Sequence, residues 1–317
     1  MRLFSDETVT TVVTMEHMVK NDFFLRMIEI VPEPGEVITG LSFRLYAQQE
    51  LCCERSYDRT QVELKLEYAQ QELARYRPAS MMRILGRQTA PEWAVMHEYF
   101  SVFTPKKLDA CEIVLTSNLT VQRRRVVLQE YKSENTYYFP MKGTYLVSDT
   151  YPAINSHRWC RNSEFAMDIG AFSEDLSRNI TEGRQVFAAC EGTVVEAFDG
   201  LPDSDDNTDF EQIQLQYGEH ARIDGNHVLI RHSGGELTLY SHLQRDSVCV
   251  RPGDRVQALT PIGKAGSSGS SSAAHLHFHA MLEGIHGPGI LVRFSNIVSF
   301  FGEPCALDET TNLVRTL

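Results

Sequence analysis

The sequence predicts a mainly β protein: a sandwich-like N-terminal domain, then a second strand-rich domain that carries the chemistry. Three observations support this. The 317 residues leave room for two domains at roughly 100–200 residues each. Several short segments alternate apolar and polar side chains at period two, the pattern of a half-buried strand. Near Tyr137 the grain changes: Gly, His and Ser become frequent, and short apolar runs are separated by turn residues. The expected boundaries are 1–135 for a β-rich domain of unknown role, 136–300 for the second domain and 301–317 for a C-terminal tail.

In the first domain, Thr8 to Met15 is β-branched and apolar, and Phe23 to Val31 is a mixed apolar run. Val37 to Ala47 alternates, with Ile38, Leu41, Phe43 and Leu45 among small or polar residues. Gln61 to Tyr68 alternates more cleanly, setting Val62, Leu64 and Leu66 against Glu63, Lys65 and Glu67, and reads as a strand. Glu112 to Thr116 and Val121 to Tyr131 are further strands, and the spacing of the set suggests a sandwich. One helix is expected within Pro91 to Phe103. Arg123, Arg124 and Arg125 read as solvated strand residues.

In the second domain, Phe139 to Gly143 is the junction. Gly192 to Phe198, His227 to His232, Glu236 to His242, Asp254 to Gln257 and His275 to Met281 read as strands. The acidic stretch Leu201 to Gly225 reads as a long surface loop inserted in a sheet. Asp203, Asp205, Asn207 and Asp209 are spaced like the start of a calcium loop. Thr208 stands where such a loop needs Gly, however, and Gln214 replaces its terminal Glu, which argues against calcium.

Composition narrows the classes. A formal net charge of −12 argues against a nucleic-acid binder, which shows a basic face. No run approaches the ~18 apolar residues of a membrane span. The N-terminus, with Asp6 and Glu7, lacks the apolar core of a secretory signal. This favours a cytoplasmic location, with a periplasmic or extracellular one if a signal was removed or another export route is used. Seven cysteines, an odd number without CxxC spacing, read as free thiols rather than a disulfide framework or a cysteine zinc site.

The chemistry concentrates in His275-Leu276-His277-Phe278-His279. On a strand, alternate residues share a face, so the imidazoles line up while Leu276 and Phe278 point into a core. Tyr240-Ser241-His242 ends another strand and is expected to put Tyr240 and His242 on one face. Asp168 closes an apolar run, where a buried carboxylate needs a partner. His157 lies shortly upstream. Two imidazoles and a carboxylate suit a zinc ion with its fourth position open, and two further histidines remain for proton transfer. Cys160 stands near His157 but lacks a third, orienting group for a nucleophile pair. His232 reads as structural, and His279 is left outside the metal site. His17, His97, His220 and His286 show no partner pattern.

These motifs resemble the lysostaphin-like, or LytM-type, zinc metallopeptidases over most of Gly143 to Glu283. The resemblance runs through Asp168, GTVVEAF from Gly192, GNHVLIRH from Gly225 and YSHL from Tyr240. It continues with VRPGDRV from Val250, IGKAGSSG from Ile262 and HLHF from His275. It implies an antiparallel, curled β-sheet with one Zn²⁺ per chain. Asp168 and His277 match metal ligands, and His242 and His275 match the two catalytic histidines that hold the water and stabilise the oxyanion. The family's first ligand precedes the Asp by four residues, where this chain has Glu164. Some members place that His further upstream, which fits His157, and Glu164 remains a second candidate. The Gly266 to Ser272 loop matches a wall of the substrate groove.

The implied activity is endopeptidase cleavage of a peptide substrate, with peptidoglycan cross-bridges or stems the usual choice. The alternative is an inactive domain that binds peptidoglycan or regulates a partner hydrolase. Retention of Asp168, His242, His275 and His277 favours catalysis.

Overall fold

The computed structural model describes residues 2–4, 8–15, 18–31, 33–75, 94–129, 131–148, 157, 162–163, 165–282, 287–299, 307 and 311–317. The chain divides into two units, Met1–Lys132 and Ser133–Leu317. Strand outweighs helix in both.

In the first unit the order is β1 (Arg2–Phe4), β2 (Thr8–Met15), β3 (Met18–Val31), β4 (Ile38–Ala47), β5 (Glu50–Asp58), α1 (Arg59–Arg75), β6 (Ala94–Thr104), β7 (Ala110–Ser117) and β8 (Val121–Gln129). Strands β1, β2 and β6 pair on the long β3, while β5, β4, β7 and β8 form a second run. Among the described residues, the strand pairing that joins the two runs is a short parallel contact of β2 with β8. They face each other: Phe43 of β4 meets Phe100 of β6 edge-on, with ring centroids 5.2 Å apart. This is a sandwich-like arrangement built on alternating inward side chains, and β4 shows the alternation along its length.

Two local expectations are corrected here. Gln61 to Tyr68 is not a strand but part of α1. Val62 and Leu66, four apart, are buried, whereas Leu64 between them is exposed, which is helical periodicity. Both patterns fit three apolar residues at i, i+2 and i+4, and the docking site decides. Lys65 Nζ on the helix lies 2.9 Å from the buried Glu98 of β6. Arg55 Nη1 and the Tyr57 hydroxyl also reach Glu98, at 3.0 and 2.8 Å. The helix expected in Pro91 to Phe103 is instead strand β6, paired with β3 from Ala94 to Thr104. Its β-branched and aromatic content suits a strand. Pro91 to Trp93 lie outside the described residues.

The second unit contains β9 (Thr144–Ser148), β10 (Met167–Gly170), β11 (Gln185–Phe187), β12 (Gly192–Phe198), α2 (Phe210–Tyr217), α3 (Glu219–Asp224), β13 (Asn226–Arg231), β14 (Leu237–Leu243), β15 (Arg255–Val256), β16 (Pro261–Lys264), β17 (Leu276–Met281), β18 (Gly289–Ile290), β19 (Ile297–Ser299) and β20 (Thr311–Thr316). Its main sheet runs β15-β12-β13-β14-β17-β10-β9-β20-β19, with β18 on β17. Strands β13, β14, β17 and β10 are antiparallel neighbours.

The registers sort the side chains. Val228, Tyr240 and Phe278 are aligned across three strands on the core face. There Tyr240 and Phe278 pack with centroids 5.3 Å apart, and Phe278 meets Phe294 at 5.7 Å. On the opposite face Ser241, His277 and Asp168 are aligned, next to the row Leu229, Leu239 and His279.

Two further readings change. The acidic stretch is no simple loop: it holds α2, N-capped by Asp209 through a 2.9 Å bond from Gln212 N, and α3. Asp203, Asp205 and Asp209 accept main-chain hydrogen bonds. Asp203 Oδ1 accepts from Ser267 N at 2.6 Å and Asp205 Oδ1 from Asn207 N at 2.8 Å. The C-terminal residues read as a tail supply β20, which pairs with β9 and β19. No described helix is long and apolar enough to cross a membrane. Among the described cysteines, Cys52, Cys53, Cys111, Cys190 and Cys249 are free thiols; Cys160 and Cys305 lie outside the described residues.

Candidate metal centre and its flanking histidines

The site begins with strand register. His277 lies between Asp168 on β10 and Ser241 on β14, so three polar side chains stand in one row of the sheet. Asp168 Oδ1 is 3.1 Å from His277 Nδ1. His157, on the segment before β10, brings Nε2 to 3.6 Å from the same oxygen. Its ring lies 4.7 Å from that of His277. Ligand atoms of His157, Asp168 and His277 all lie within 4.8 Å of one another. Tetrahedral zinc with bonds of about 2.0–2.2 Å needs ligand atoms about 3.3–3.6 Å apart, so this donor set fits with little movement. Glu164, the other first-ligand candidate, lies outside the described residues, as does Cys160.

Burial pushes the Asp168 pKa up, but His157, His277 and His275 around it overcome that. The carboxyl is held well below the usual carboxylate range. It is therefore a permanent anion facing imidazole nitrogens, which is what a cation requires.

His242 and His275 flank the centre. Their rings lie 4.7 Å apart, and the His242 ring is 5.9 Å from that of His277. His275 Nε2 is 3.5 Å from Asp168 Oδ1. The expected pairing of His242 with Tyr240 on one strand face is corrected. Tyr240 is in the core, its hydroxyl accepting from Ala189 N at 2.7 Å. His242 has φ of 62°, left-handed backbone that breaks the alternation at the strand end and turns the imidazole into the site. Such backbone costs a non-glycine residue on the order of 1–3 kcal/mol, offset here by the contacts His242 makes.

Backbone carbonyls select the tautomers. His242 Nδ1 donates to Ser268 O at 2.8 Å, and His275 Nδ1 donates to Ala273 O at 2.8 Å. A carbonyl only accepts, so each proton sits on Nδ1 and each Nε2 keeps its lone pair. Burial, reinforced by His275 and His277, pushes the His242 pKa down to about 3, so His242 is neutral near pH 7.

The loop that supplies these carbonyls is clamped to the end of α3. Ser268 Oγ accepts from Asn226 N at 2.9 Å and donates to Leu243 O at 2.7 Å. Ser270 N donates to Ile223 O. Gly225 and Gly269, both at positive φ, approach so closely that a Cβ on Gly225 would stand 2.4 Å from the Ser268 carbonyl. Only glycine permits this contact.

Beside the metal centre lies a second polar group. Asp224, at the end of α3, accepts from Ser241 Oγ at 3.0 Å and sits 3.0 Å from His220 Nδ1. His227 has Gly225 O at 2.8 Å from Nδ1 and Glu196 Oε1 at 3.1 Å from Nε2. Both neighbours are acceptors. Burial pushes the His227 pKa down, but Glu196 and Asp224 more than restore it, so it is raised.

Of the sequence-predicted residues, His157, Asp168, His242, His275 and His277 come together. His232 stands apart, with Nδ1 on Glu191 O and Nε2 on Thr238 Oγ1. His17 and His286 lie outside the described residues. Sequence reasoning left out His279, whose Nδ1 lies 2.9 Å from His277 Nε2; the HxHxH alternation already put it on that face. It also missed Asp224, the Ser268 and Ala273 carbonyls, and His220 as a partner of Asp224. Main-chain acceptors leave no mark in a sequence.

Residues 174–286 match the family model described as Peptidase family M23. That range holds His242, His275 and His277; His157 and Asp168 precede it. The chain is 38% identical over 72 residues to the peptidoglycan DD-endopeptidase ShyC of Vibrio cholerae serotype O1, 23% of this chain and 16% of that protein. It is 36% identical over 58 residues to an uncharacterized metalloprotease of Buchnera aphidicola subsp. Baizongia pistaciae, 18% of this chain and 15% of that protein. The match thus spans under a fifth of either relative. Among solved structures, the catalytic domain of lysostaphin from Staphylococcus simulans is similar at 22% identity and a TM-score of 0.26, over 47% of this chain and 82% of that one. Residues 174–286 of this chain are a peptidase family M23 domain.

Proposed function

We propose that the chain is a zinc-dependent endopeptidase acting on peptidoglycan cross-bridge or stem peptides. The observation that carries this reading is the convergence of His157, Asp168 and His277 into one donor set, with His242 and His275 beside it. The kind of substrate is supported by the DD-endopeptidase relative.

His157 Nε2, Asp168 Oδ1 and His277 Nδ1 are the atoms that would hold the metal. Zinc, when bound, supplies the Lewis acidity that activates a water and polarises the scissile carbonyl. The chain's own groups manage the protons. His242, neutral and with Nε2 bare, accepts a proton from the attacking water. His275 takes up a second proton from solvent at Nε2 and donates a hydrogen bond from it to the oxyanion that forms on the carbonyl, and the proton held by His242 passes to the leaving amine. Because Nδ1 of each ring is anchored to a main-chain carbonyl, neither ring must reorient during turnover.

The test combines metal content with hydrolysis of purified peptidoglycan fragments. About one zinc per chain is expected in the wild type, with loss of metal and activity in His157→Ala and in His277→Ala. Protein that takes up no zinc yet still binds peptidoglycan overturns the reading and supports an inactive binding domain.

A further inference from the structure

We infer that His279 is a positioning residue: it holds His277 in the tautomer that presents Nδ1 to a metal. The inference rests on the proposed metal site and extends it by one residue.

His279 is 2% exposed and stands two residues along β17 from His277, opposite Leu239 of β14. An aliphatic side chain would suit that place better, since a buried imidazole needs hydrogen-bond partners. Among the described residues its one hydrogen-bond partner is His277, with His277 Nε2 and His279 Nδ1 2.9 Å apart. Its own Nε2 is buried with no hydrogen-bond partner among the described residues.

The contact decides a choice that His277 faces. Its Nδ1 lies 3.1 Å from Asp168 Oδ1. Left to itself, the ring would place its proton on Nδ1 and donate to the carboxylate. That tautomer puts a proton between two ligand atoms and removes the lone pair a metal needs. With the proton on Nε2, donated to His279 Nδ1, the lone pair on Nδ1 points into the donor set.

The test is zinc affinity, read by competition with a chromogenic chelator. His279→Phe keeps a ring of similar size but offers no acceptor. It is expected to bind zinc about 10–100-fold more weakly than wild type, while His279→Gln, whose Oε1 accepts the His277 proton, is expected to stay within about threefold. Equal affinity of His279→Phe and wild type, or equal weakness of the Phe and Gln variants, overturns the inference. If His279→Phe does not fold, the imidazole ¹⁵N spectrum of the zinc-loaded wild type is read instead. A proton on His277 Nε2, coupled through the hydrogen bond to His279 Nδ1, supports the inference, and a proton on His277 Nδ1 overturns it. Loss of zinc in His277→Ala with unchanged affinity in His279→Phe refutes the positioning role alone. Absence of zinc binding in wild type refutes the metal site and this inference together.

Discussion

Asp168 and His277 are direct partners in the antiparallel pairing of β10 with β17, which sets Asp168 Oδ1 3.1 Å from His277 Nδ1. A register slip of one residue would send one of them to the core face. The donor set is therefore as rigid as the sheet. Replacing Asp168 by Asn preserves shape but removes the anion. Metal content of the purified variant is expected to fall to background, with activity down by about 10³-fold or more. Full zinc occupancy in Asp168→Asn, measured by mass spectrometry, would contradict the assignment.

In the proposed mechanism His242 handles a proton rather than holding metal. His242→Ala is expected to retain zinc while kcat/KM on a peptidoglycan fragment falls by about 10²–10⁴-fold. The same separation of metal content from turnover is expected for His275→Ala. A His242 variant that loses its zinc would reassign the residue as a ligand.

The Gly225 contact ties α3 to the loop that orients His242. A Cβ at this position would stand 2.4 Å from Ser268 main-chain atoms, at φ of 65°. Gly225→Ala is expected to destabilise the protein by about 2–4 kcal/mol, measured by urea denaturation. Turnover should fall further than the lost stability explains, because displacing Ser268 O frees the His242 ring.

The His220–Asp224 pair predicts a pH dependence. Asp224 raises the His220 pKa above its ordinary 6.5. That contribution is complete below about pH 6.5 and is lost as the pH rises through the folded value. Burial pushes Asp224 up, but His220 and His227 overcome it and hold the carboxyl below its ordinary 3.8. Its contribution is present above about pH 3.8 and is lost as the pH falls through the lower folded value. Stability from this pair is thus greatest between the two ordinary values. His220→Ala should flatten the decline above pH 6.5 in denaturation midpoints, and an unaltered decline would show that other groups cause it.

In the N-terminal unit, Glu98 is the buried acceptor for Arg55, Tyr57 and Lys65. Glu98→Ala leaves two cations and a hydroxyl without that partner. A loss of about 2–4 kcal/mol is expected, allowing for the partial exposure of Arg55 and Lys65. Faster hydrogen exchange in α1 would locate the loss at the helix docking site.

Much of the candidate metal site was legible as residue types. HxHxH on a strand and an Asp closing an apolar run each imply chemistry before any fold is known, because polar side chains in apolar surroundings need partners. The candidate first ligand was less legible, since His157 has no fixed spacing to Asp168. Local periodicity misled at α1, where three apolar residues fit either period and tertiary packing selected one, and the helix expected within Pro91 to Phe103 is strand β6.

By itself the sequence determined the strand-rich composition, the candidate ligands and proton carriers, and the segments that bring them. Only the tertiary structure decided that Asp168, His277 and Ser241 share a row, that left-handed backbone turns His242 away from Tyr240, and that His279 bonds to His277. It also decided that the acidic insertion folds into helices bearing Asp224 and His220 beside the site. The reason is physical: side-chain identity and short-range period are local properties. Register, backbone reversal at a strand end and main-chain carbonyl direction follow from pairing between distant segments.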